Sequence, residues 1–140
     1  MVWLRNDAGS GVNDMSSKIR VLLIEDSPLL RDVLTDTLRE LDEVELCGCA
    51  EDQQGALDFL AHTPVDLAIV DIELKAGSGI GVLEALRQDP GRYGPPRTVI
   101  FSNHAHPAMR ERCAKLGSDA FFDKSLELEQ LVSYVSHYGR

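Results

Sequence analysis

The chain has 140 residues, of which 44% are hydrophobic and 26% are charged, a balance typical of one soluble globular domain. Its formal net charge of −9 argues against direct nucleic-acid binding, because phosphate recognition needs clustered lysine and arginine. No stretch approaches the roughly 20 apolar residues that span a bilayer, and the N-terminus has no secretion signal. The composition therefore predicts a cytoplasmic protein that binds neither membranes nor nucleic acid.

The N-terminal residues and the cysteines carry no sign of a site. Residues 1–17 are rich in Gly, Ser, Asn and Asp without periodicity, which predicts a flexible tail. Met15 stands within it as an alternative translation start. Three cysteines cannot all pair with one another, which favours a reducing compartment. We expect Cys47 and Cys49 to share one face of a strand and to be buried in the core.

From Lys18 onward, short apolar runs alternate with amphipathic helical patterns. Such runs are typical of buried parallel strands joined by helices. The predicted strands cover residues 20–25, 44–50, 65–72, 97–102 and 120–123. The predicted helices begin with the cap Ser27, with the cap Asp52, after the loop 73–79, at Pro107 and with the cap Ser125. We expect residues 44–50 to form an edge strand, and helices to cover both faces of an α/β sheet.

Polar side chains stand where four of the predicted strands end. Glu25 and Asp26 end the first strand, Asp71 ends the third, Ser102 ends the fourth, and Lys124 follows the fifth. Parallel strands present their C-terminal ends at one edge, which is where open α/β sheets bind ligands. We therefore expect three carboxylates, a hydroxyl and an ammonium group to lie together at this edge.

The three carboxylates predict a divalent cation site. Two carboxylates 4 Å apart repel by about 4 kcal/mol at an effective dielectric of about 20, so they must take up protons or share a cation. An open cluster of carboxylate oxygens suits Mg²⁺. The alternative is an acidic rim of solvated charges, which each carboxylate taken alone favours. Their position at the ends of two strongly apolar strands favours the cation site.

Asp71 ends the most apolar strand and is the best candidate for a nucleophile. An aspartate carboxylate can attack phosphorus and form an acyl phosphate. Lys124 offers a compact positive charge for a phosphoryl oxygen, and Ser102 offers a hydroxyl donor. A serine at a strand end is explained equally well without any catalytic role.

These residues resemble the receiver domain of bacterial response regulators. The resemblance rests on IleGluAsp at residues 24–26, ValAspIle at 70–72, Ser102, and PheAspLys at 122–124. The loop after Asp71 is also similar to the family's loop, and the match covers residues 18–138. It implies a flavodoxin-like (βα)5 fold, a doubly wound sheet of five parallel strands in the order 2-1-3-4-5.

The resemblance implies a phosphoacceptor that receives its phosphoryl group from a sensor histidine kinase or a phosphotransfer protein. Asp71 would accept this group from a phosphohistidine. Glu25, Asp26 and Asp71 would hold Mg²⁺, with the backbone carbonyl of Glu73 as a further ligand.

The resemblance also implies a switch. Lys124 would pair with the phosphoryl group, the Ser102 hydroxyl would move to bond it, and Phe121 would swing inward, although core packing alone would also explain this ring. The surface of the fourth predicted helix, the fifth strand and the fifth helix would then bind a downstream protein, which the sequence does not name. Homodimerisation through the same surface stays open.

Some residues depart from the family's pattern or stand at its variable positions. Ser125 stands where the family usually has a proline after the lysine, which affects the shape of this loop but not its charge. Glu73 and His104 occupy positions that tune dephosphorylation in such domains. We interpret His104 and His106 as solvated loop histidines and not as metal ligands, because no cysteine or acid stands at ligand spacing.

Two other functions remain open on the sequence alone. A phosphatase of haloacid-dehalogenase type also uses an aspartate nucleophile and Mg²⁺, but residues 71–75 lack its second aspartate. A pseudo-receiver would keep the fold and bind partners without phosphorylation. With residues 18–138 assigned to the receiver, we expect no output domain. We also expect a signalling phosphoacceptor and not an enzyme, with chemistry limited to self-phosphorylation and autodephosphorylation.

Overall fold

The computed structural model describes residues 2–4 and 18–138. Within these ranges the strands are β1 (Val2–Leu4), β2 (Ile19–Ile24), β3 (Val44–Ala50), β4 (Leu67–Val70), β5 (Arg97–Ser102) and β6 (Ala120–Asp123). The helices are α1 (Pro28–Arg39), α2 (Gln53–His62), α3 (Gly79–Gln88), α4 (Pro90–Tyr93), α5 (Pro107–Lys115) and α6 (Leu128–Ser136). None of these helices combines the length and apolar character that a bilayer crossing needs.

The predicted sheet of five parallel strands is confirmed. These strands lie side by side in the order β3-β2-β4-β5-β6, and each neighbouring pair is parallel. Counted along the chain without β1, this is the order 2-1-3-4-5 of the α/β flavodoxin-like fold. From β2 the chain adds β3 on one side, and it then returns to add β4, β5 and β6 on the other side. The strand order therefore reverses between β2 and β4, and such a switch point is the usual ligand position in open α/β sheets.

The edge of the sheet beside β3 differs from the prediction in two ways. Residues Val2–Leu4 form the antiparallel strand β1, which pairs with β3 so that Val2 lies opposite Ala50 and Leu4 opposite Gly48. The prediction of a flexible tail is therefore wrong for these three residues, and β3 is not the edge strand. A three-residue strand shows no period of its own, and only the pairing with β3 defines it. The rest of the predicted tail, residues 5–17, lies outside the described residues.

Helices cover both faces of the sheet, so the core has two parts. On one face α1 and α6 pack Leu34, Leu38, Leu131 and Val135 against alternate strand residues. On the other face α2, α3 and α5 pack against the remaining strand residues, with Phe59 and Leu83 among the buried side chains. Every residue of β4 is buried, because this central strand has helices on both sides.

Cys47 and Cys49 are buried free thiols, as predicted, but they do not share a face. Val21 pairs with Leu46 whereas the next residue, Leu22, pairs with Gly48, so Cys47 is the extra residue of a β-bulge. Its side chain joins the core beneath α2 and α3, while Cys49 faces the α1 side. Burial raises the pKa of Cys47 to about 11. A bulge reverses the side-chain alternation, and the sequence pattern alone did not reveal it.

Several predicted helix ends are confirmed, and one is wrong. The Ser27 hydroxyl accepts a hydrogen bond from the Leu30 amide, and Asp52 accepts one from Gly55. Ser125 does not cap the last helix, because α6 begins at Leu128 with Glu127 before it. Ser125 instead donates from both its amide and its hydroxyl to Asp123, at 2.8 and 2.6 Å.

Candidate functional site

The ends of β2 and β4 bring the three predicted acids together. These strands are parallel neighbours, with Ile24 opposite Val70, and the Asp71 amide donates to the Ile24 carbonyl. One carboxylate oxygen from each of Glu25, Asp26 and Asp71 lies within 4.8 Å of the others. Glu25 and Asp71 are only 1% and 5% exposed, so these two charges are held largely away from water.

Lys124 reaches the same place from β6. Its ammonium nitrogen lies 2.8 Å from a carboxylate oxygen of Glu25 and 2.8 Å from one of Asp71, and its side chain is 12% exposed. The pairing of β5 with β6 positions this residue, since the Lys124 amide donates to the Ser102 carbonyl at 3.1 Å. One ammonium group, on the residue after β6, therefore bridges the acids that follow β2 and β4.

Burial and ion pairing act in opposite directions on these groups. Burial raises the pKa of the Asp71 carboxyl above its usual range, although the hydrogen bond from Lys124 lowers it. Burial likewise raises the pKa of Glu25 against the effect of the same ammonium. Burial acts to lower the pKa of Lys124, but its bonds to Asp71 and Glu25 together raise it. A carboxylate with a raised pKa is a stronger base and so a better nucleophile once ionised.

The acids and the lysine fit a divalent cation. When ionised, the three carboxylates carry three negative charges, and Lys124 supplies one positive charge. The remaining negative charge and the cluster of hard oxygen ligands suit Mg²⁺. The second carboxylate oxygen of Glu25 accepts the Ser27 amide at 3.0 Å, so both of its oxygens already have protein partners. Asp26 is half-buried at the rim of the cluster.

The loop after Asp71 depends on a glycine that the sequence reasoning did not single out. A Cβ on Gly79 would lie 2.2 Å from the backbone oxygen of Asp71. The Gly79 amide donates to the Ile72 carbonyl at 2.9 Å, and Glu73 forms a backbone bridge with Ser78. This closed loop contains Glu73, whose carbonyl was predicted as a metal ligand. Only Gly permits so close an approach of the two backbones.

Ser102 lies at the end of β5 and is fully buried. Its hydroxyl accepts a hydrogen bond from the His104 amide at 3.1 Å. The His104 ring in turn contacts the Glu73 carboxylate, a partner that the spacing in the sequence did not indicate. His106 accepts the Met109 amide and caps α5. Among the described residues, the one group of three or more acidic, histidine or cysteine ligands is that of Glu25, Asp26 and Asp71.

Phe121 lies on β6 and is half-buried against the core beneath α3 and α5. The Arg110 guanidinium carbon lies 4.8 Å from the centre of this ring. Arg110 also donates to the Phe121 carbonyl at 3.2 Å and to the Glu127 carboxylate at 3.0 Å. The sequence reasoning missed Arg110, because an arginine on a polar helix carries no distinguishing pattern.

The substitution of Ser125 for the family's proline leaves an ordered turn after Lys124. Asp123 accepts two hydrogen bonds from Ser125. These bonds lower the pKa of the Asp123 carboxyl, and they outweigh the opposite effect of burial. No peptide bond in residues 18–138 is cis. The turn therefore holds Lys124 at the acids without the constraint that a proline ring supplies.

Comparison with known proteins identifies the family. The model of the response regulator receiver domain matches residues 21–136. A protein-glutamate methylesterase/protein-glutamine glutaminase of Bdellovibrio bacteriovorus is 33% identical over 125 residues, which are 87% of this chain and 34% of that protein. A "Probable chemotaxis protein CheY" of Rhizobium etli is 26% identical over 86% of this chain and 92% of that protein. The chain thus spans about one third of the methylesterase relative.

The solved structures agree with this result. The response regulator domain of Thermotoga maritima CheB is 25% identical, with a TM-score of 0.72 over 84% of this chain and 90% of that chain. The family match argues against the alternative of a haloacid-dehalogenase phosphatase. Sequence, fold and the edge of the sheet where the acids meet lead to one assignment: the chain belongs to the response regulator receiver domain family of two-component systems.

Proposed function

We propose that this receiver domain is a phosphoacceptor and that Asp71 is the residue that is phosphorylated. The observation that carries the proposal is the position of the Lys124 ammonium, 2.8 Å from both Asp71 and Glu25. A largely buried lysine shared by two carboxylates offsets part of their charge, and a phosphoryl group added at Asp71 would take over that positive charge.

In the proposed reaction, a carboxylate oxygen of Asp71 attacks the phosphorus of a phosphohistidine or of a small acyl phosphate. The new oxygen–phosphorus bond forms as the bond from phosphorus to the donor breaks, and the electron pair leaves with the imidazole nitrogen or the acyl oxygen. The protein contributes mainly position and charge neutralisation to such a transfer. The raised pKa of the Asp71 carboxyl makes the ionised form a stronger nucleophile.

We further propose that Asp26, Asp71, Glu25 and the carbonyl of Glu73 would hold Mg²⁺. When bound, the ion supplies charge neutralisation for the phosphoryl oxygens. Asp26 has the most direct role in this proposal, because it lies at the rim and both oxygens of Glu25 already accept protein hydrogen bonds. Glu25 would then contribute chiefly through its charge.

Phosphorylation would be read out through Ser102 and Phe121. The Ser102 hydroxyl accepts the His104 amide, and it would turn to donate to the phosphoryl group. Phe121, half-buried on β6, would move inward as Ser102 leaves. Shifting a population from 1:99 to 99:1 requires about 5.5 kcal/mol of differential binding, and bonds from Ser102 and Lys124 are its proposed source. The surface of α5, β6 and α6 would change and bind a downstream protein or a second copy.

The proposed phosphodonors are a sensor histidine kinase or a phosphotransfer protein. Two exposed apolar side chains stand close in sequence to residues of the site. Leu29 follows Asp26 by three residues and is 76% exposed, and Leu126 follows Lys124 by two residues and is 78% exposed. If these two side chains border one contact surface, a protein donor would cover them when it reaches Asp71. The regulatory role, with no catalytic activity toward other substrates, belongs to this proposal.

The test is the intact mass of the chain after incubation with acetyl phosphate and Mg²⁺. We expect one phosphoryl group on the wild type and on Glu84→Gln, a matched change of an exposed acid on α3, and none on Asp71→Asn. Removing Mg²⁺ with a chelator should prevent the gain. A wild type that gains no phosphoryl mass would instead be the pseudo-receiver, and repeated turnover of a phosphomonoester would indicate a phosphatase.

A further inference from the structure

Arg110 contacts three separate segments around the proposed switch. Its Nε donates to the Ala105 carbonyl at 2.9 Å, in the loop that follows Ser102. One terminal nitrogen donates to the Phe121 carbonyl on β6 at 3.2 Å. The other donates to the Glu127 carboxylate at 3.0 Å. A guanidinium has donors on three nitrogens in a fixed plane, and here each nitrogen binds a different segment.

The Glu127 carboxylate extends this arrangement into the start of α6. The oxygen that accepts Arg110 also accepts the Asp123 amide at 2.9 Å. The Glu127 amide donates to the Asp123 carbonyl at 2.8 Å. Arg110 therefore joins the loop 103–106, the strand β6 and the turn before α6, and its guanidinium also covers the Phe121 ring at 4.8 Å.

The proposed switch would disturb these contacts. If the Ser102 hydroxyl turns toward a phosphoryl group, the His104 amide loses its acceptor, and Ala105 lies in the loop that is then released. If the Phe121 ring moves inward, it leaves the guanidinium that covers it. Contacts made only in the starting arrangement stabilise that arrangement and oppose the change.

We propose that Arg110 is a positioning residue that holds the Ser102 loop, the Phe121 ring and the start of α6 in the unswitched arrangement, and so limits how readily Asp71 is phosphorylated. The proposal rests on the proposed function, since it assumes phosphorylation at Asp71. It assigns a regulatory part to a residue that touches neither the acids nor Lys124.

The test is the rate at which the full chain gains phosphoryl mass from acetyl phosphate and Mg²⁺, with the melting temperature measured alongside. For Arg110→Gln we expect the rate to rise roughly three- to tenfold, the equivalent of losing one net hydrogen bond that opposes the switch. Arg110→Lys keeps the charge but cannot bridge three acceptors, so its rise should be smaller. Arg112→Gln, the same change at an exposed position of α5, should leave the rate unchanged.

A merely structural role would lower the melting temperature of Arg110→Gln without raising its rate of phosphorylation, and that result would overturn the proposal. Glu127→Gln serves as a second variant, because it removes the charge that strengthens one of the three contacts and should give a partial increase in rate. If no variant and no wild type gains phosphoryl mass, the proposed function fails and the role of Arg110 fails with it. If all gain mass at one rate, the role of Arg110 alone is wrong.

Discussion

The two sides of the acidic site differ in how firmly the fold holds them. β4, which ends at Asp71, is buried at all four residues, whereas β6, which leads to Lys124, is half-buried at all four. Asp71 therefore extends from the interior of the sheet, while Lys124 and Phe121 belong to its more exposed edge. A deeply buried nucleophile beside a less buried partner strand suits a switch that is driven by one added group.

The hydrogen bonds on the two sides differ in the same way. On the side of Asp71, backbone groups bond to each other, as in the hydrogen bond from the Gly79 amide to the Ile72 carbonyl. On the side of Ser102, long side chains carry the contacts, as Arg110 does to Ala105 and Glu127. Exposed charged side chains hold position less firmly than buried backbone bonds.

The largest effect is expected where Lys124 joins the two sides. Lys124→Gln removes the ammonium that neutralises Asp71 and Glu25, so the rate of phosphorylation by acetyl phosphate should fall roughly 100-fold. The rate is measured by intact mass over time. Lys115→Gln, on an exposed side chain paired with Glu111, is the matched control and should keep the wild-type rate. Equal rates in both variants would contradict the proposed role of the buried ion pair.

Two glycine substitutions test how tightly the loop after Asp71 is closed. Gly79→Ala places a Cβ against the Asp71 backbone oxygen and should lower the free energy of unfolding by about 1–3 kcal/mol. Gly91→Ala, where a Cβ meets nothing within 4 Å, should be neutral or slightly stabilising. Chemical denaturation measures both changes. Similar losses in the two variants would show that the loop after Asp71 is not tightly closed.

Metal binding should stabilise the side that carries the acids. At a Mg²⁺ concentration ten times its dissociation constant, the wild type should gain about 1.4 kcal/mol of unfolding free energy. Asp26→Asn should lose most of this gain and should be more stable than wild type without metal, because it removes a repelling charge. NaCl at equal ionic strength controls for screening. An undiminished Mg²⁺ effect in Asp26→Asn would place the ion elsewhere.

The smallest effect is a pH dependence of opposite sign on the two sides, measured by denaturation in a chelator. Burial raises the pKa of Asp71. Above about pH 4 the folded chain therefore holds more protons than the unfolded chain, and stability falls as pH rises through the raised pKa. Bonds from Asp123 and Arg110 lower the pKa of Glu127. Its contribution is present above about pH 4 and is lost as pH falls through the lowered pKa.

Two variants separate these contributions. Relative to wild type, Asp71→Asn should remove part of the loss of stability above about pH 4, since it removes the carboxyl whose ionisation is opposed by burial. Glu127→Gln should instead remove part of the gain in stability that the wild type shows as pH rises to about 4. If both substitutions change the slope in the same direction, the electrostatic difference between the two sides is wrong.

Much of the site could be predicted because it depends on where buried strands end. Asp71 and Lys124 follow apolar runs, and the parallel sheet brings the ends of such runs to one edge. The five parallel strands followed from the same runs. These features are local in sequence, since hydrophobic patterning and the length of each run determine them.

The features that the sequence did not reveal depend on contacts between distant segments. β1 becomes a strand only through its pairing with β3, and the bulge at Cys47 appears only in the register between β2 and β3. The need for Gly79 follows from the position of the Asp71 carbonyl. Arg110 is an ordinary helical residue until its three acceptors are brought together by the fold.

The central claim is that one carboxylate, that of Asp71, forms the bond to phosphorus. The most direct measurement is reduction of the phosphorylated chain with borohydride, which converts an aspartyl phosphate to homoserine, followed by peptide mass mapping. We expect homoserine at position 71 and an unchanged Asp26. Homoserine at Asp26 or at any other acid, with an intact Asp71, would contradict it.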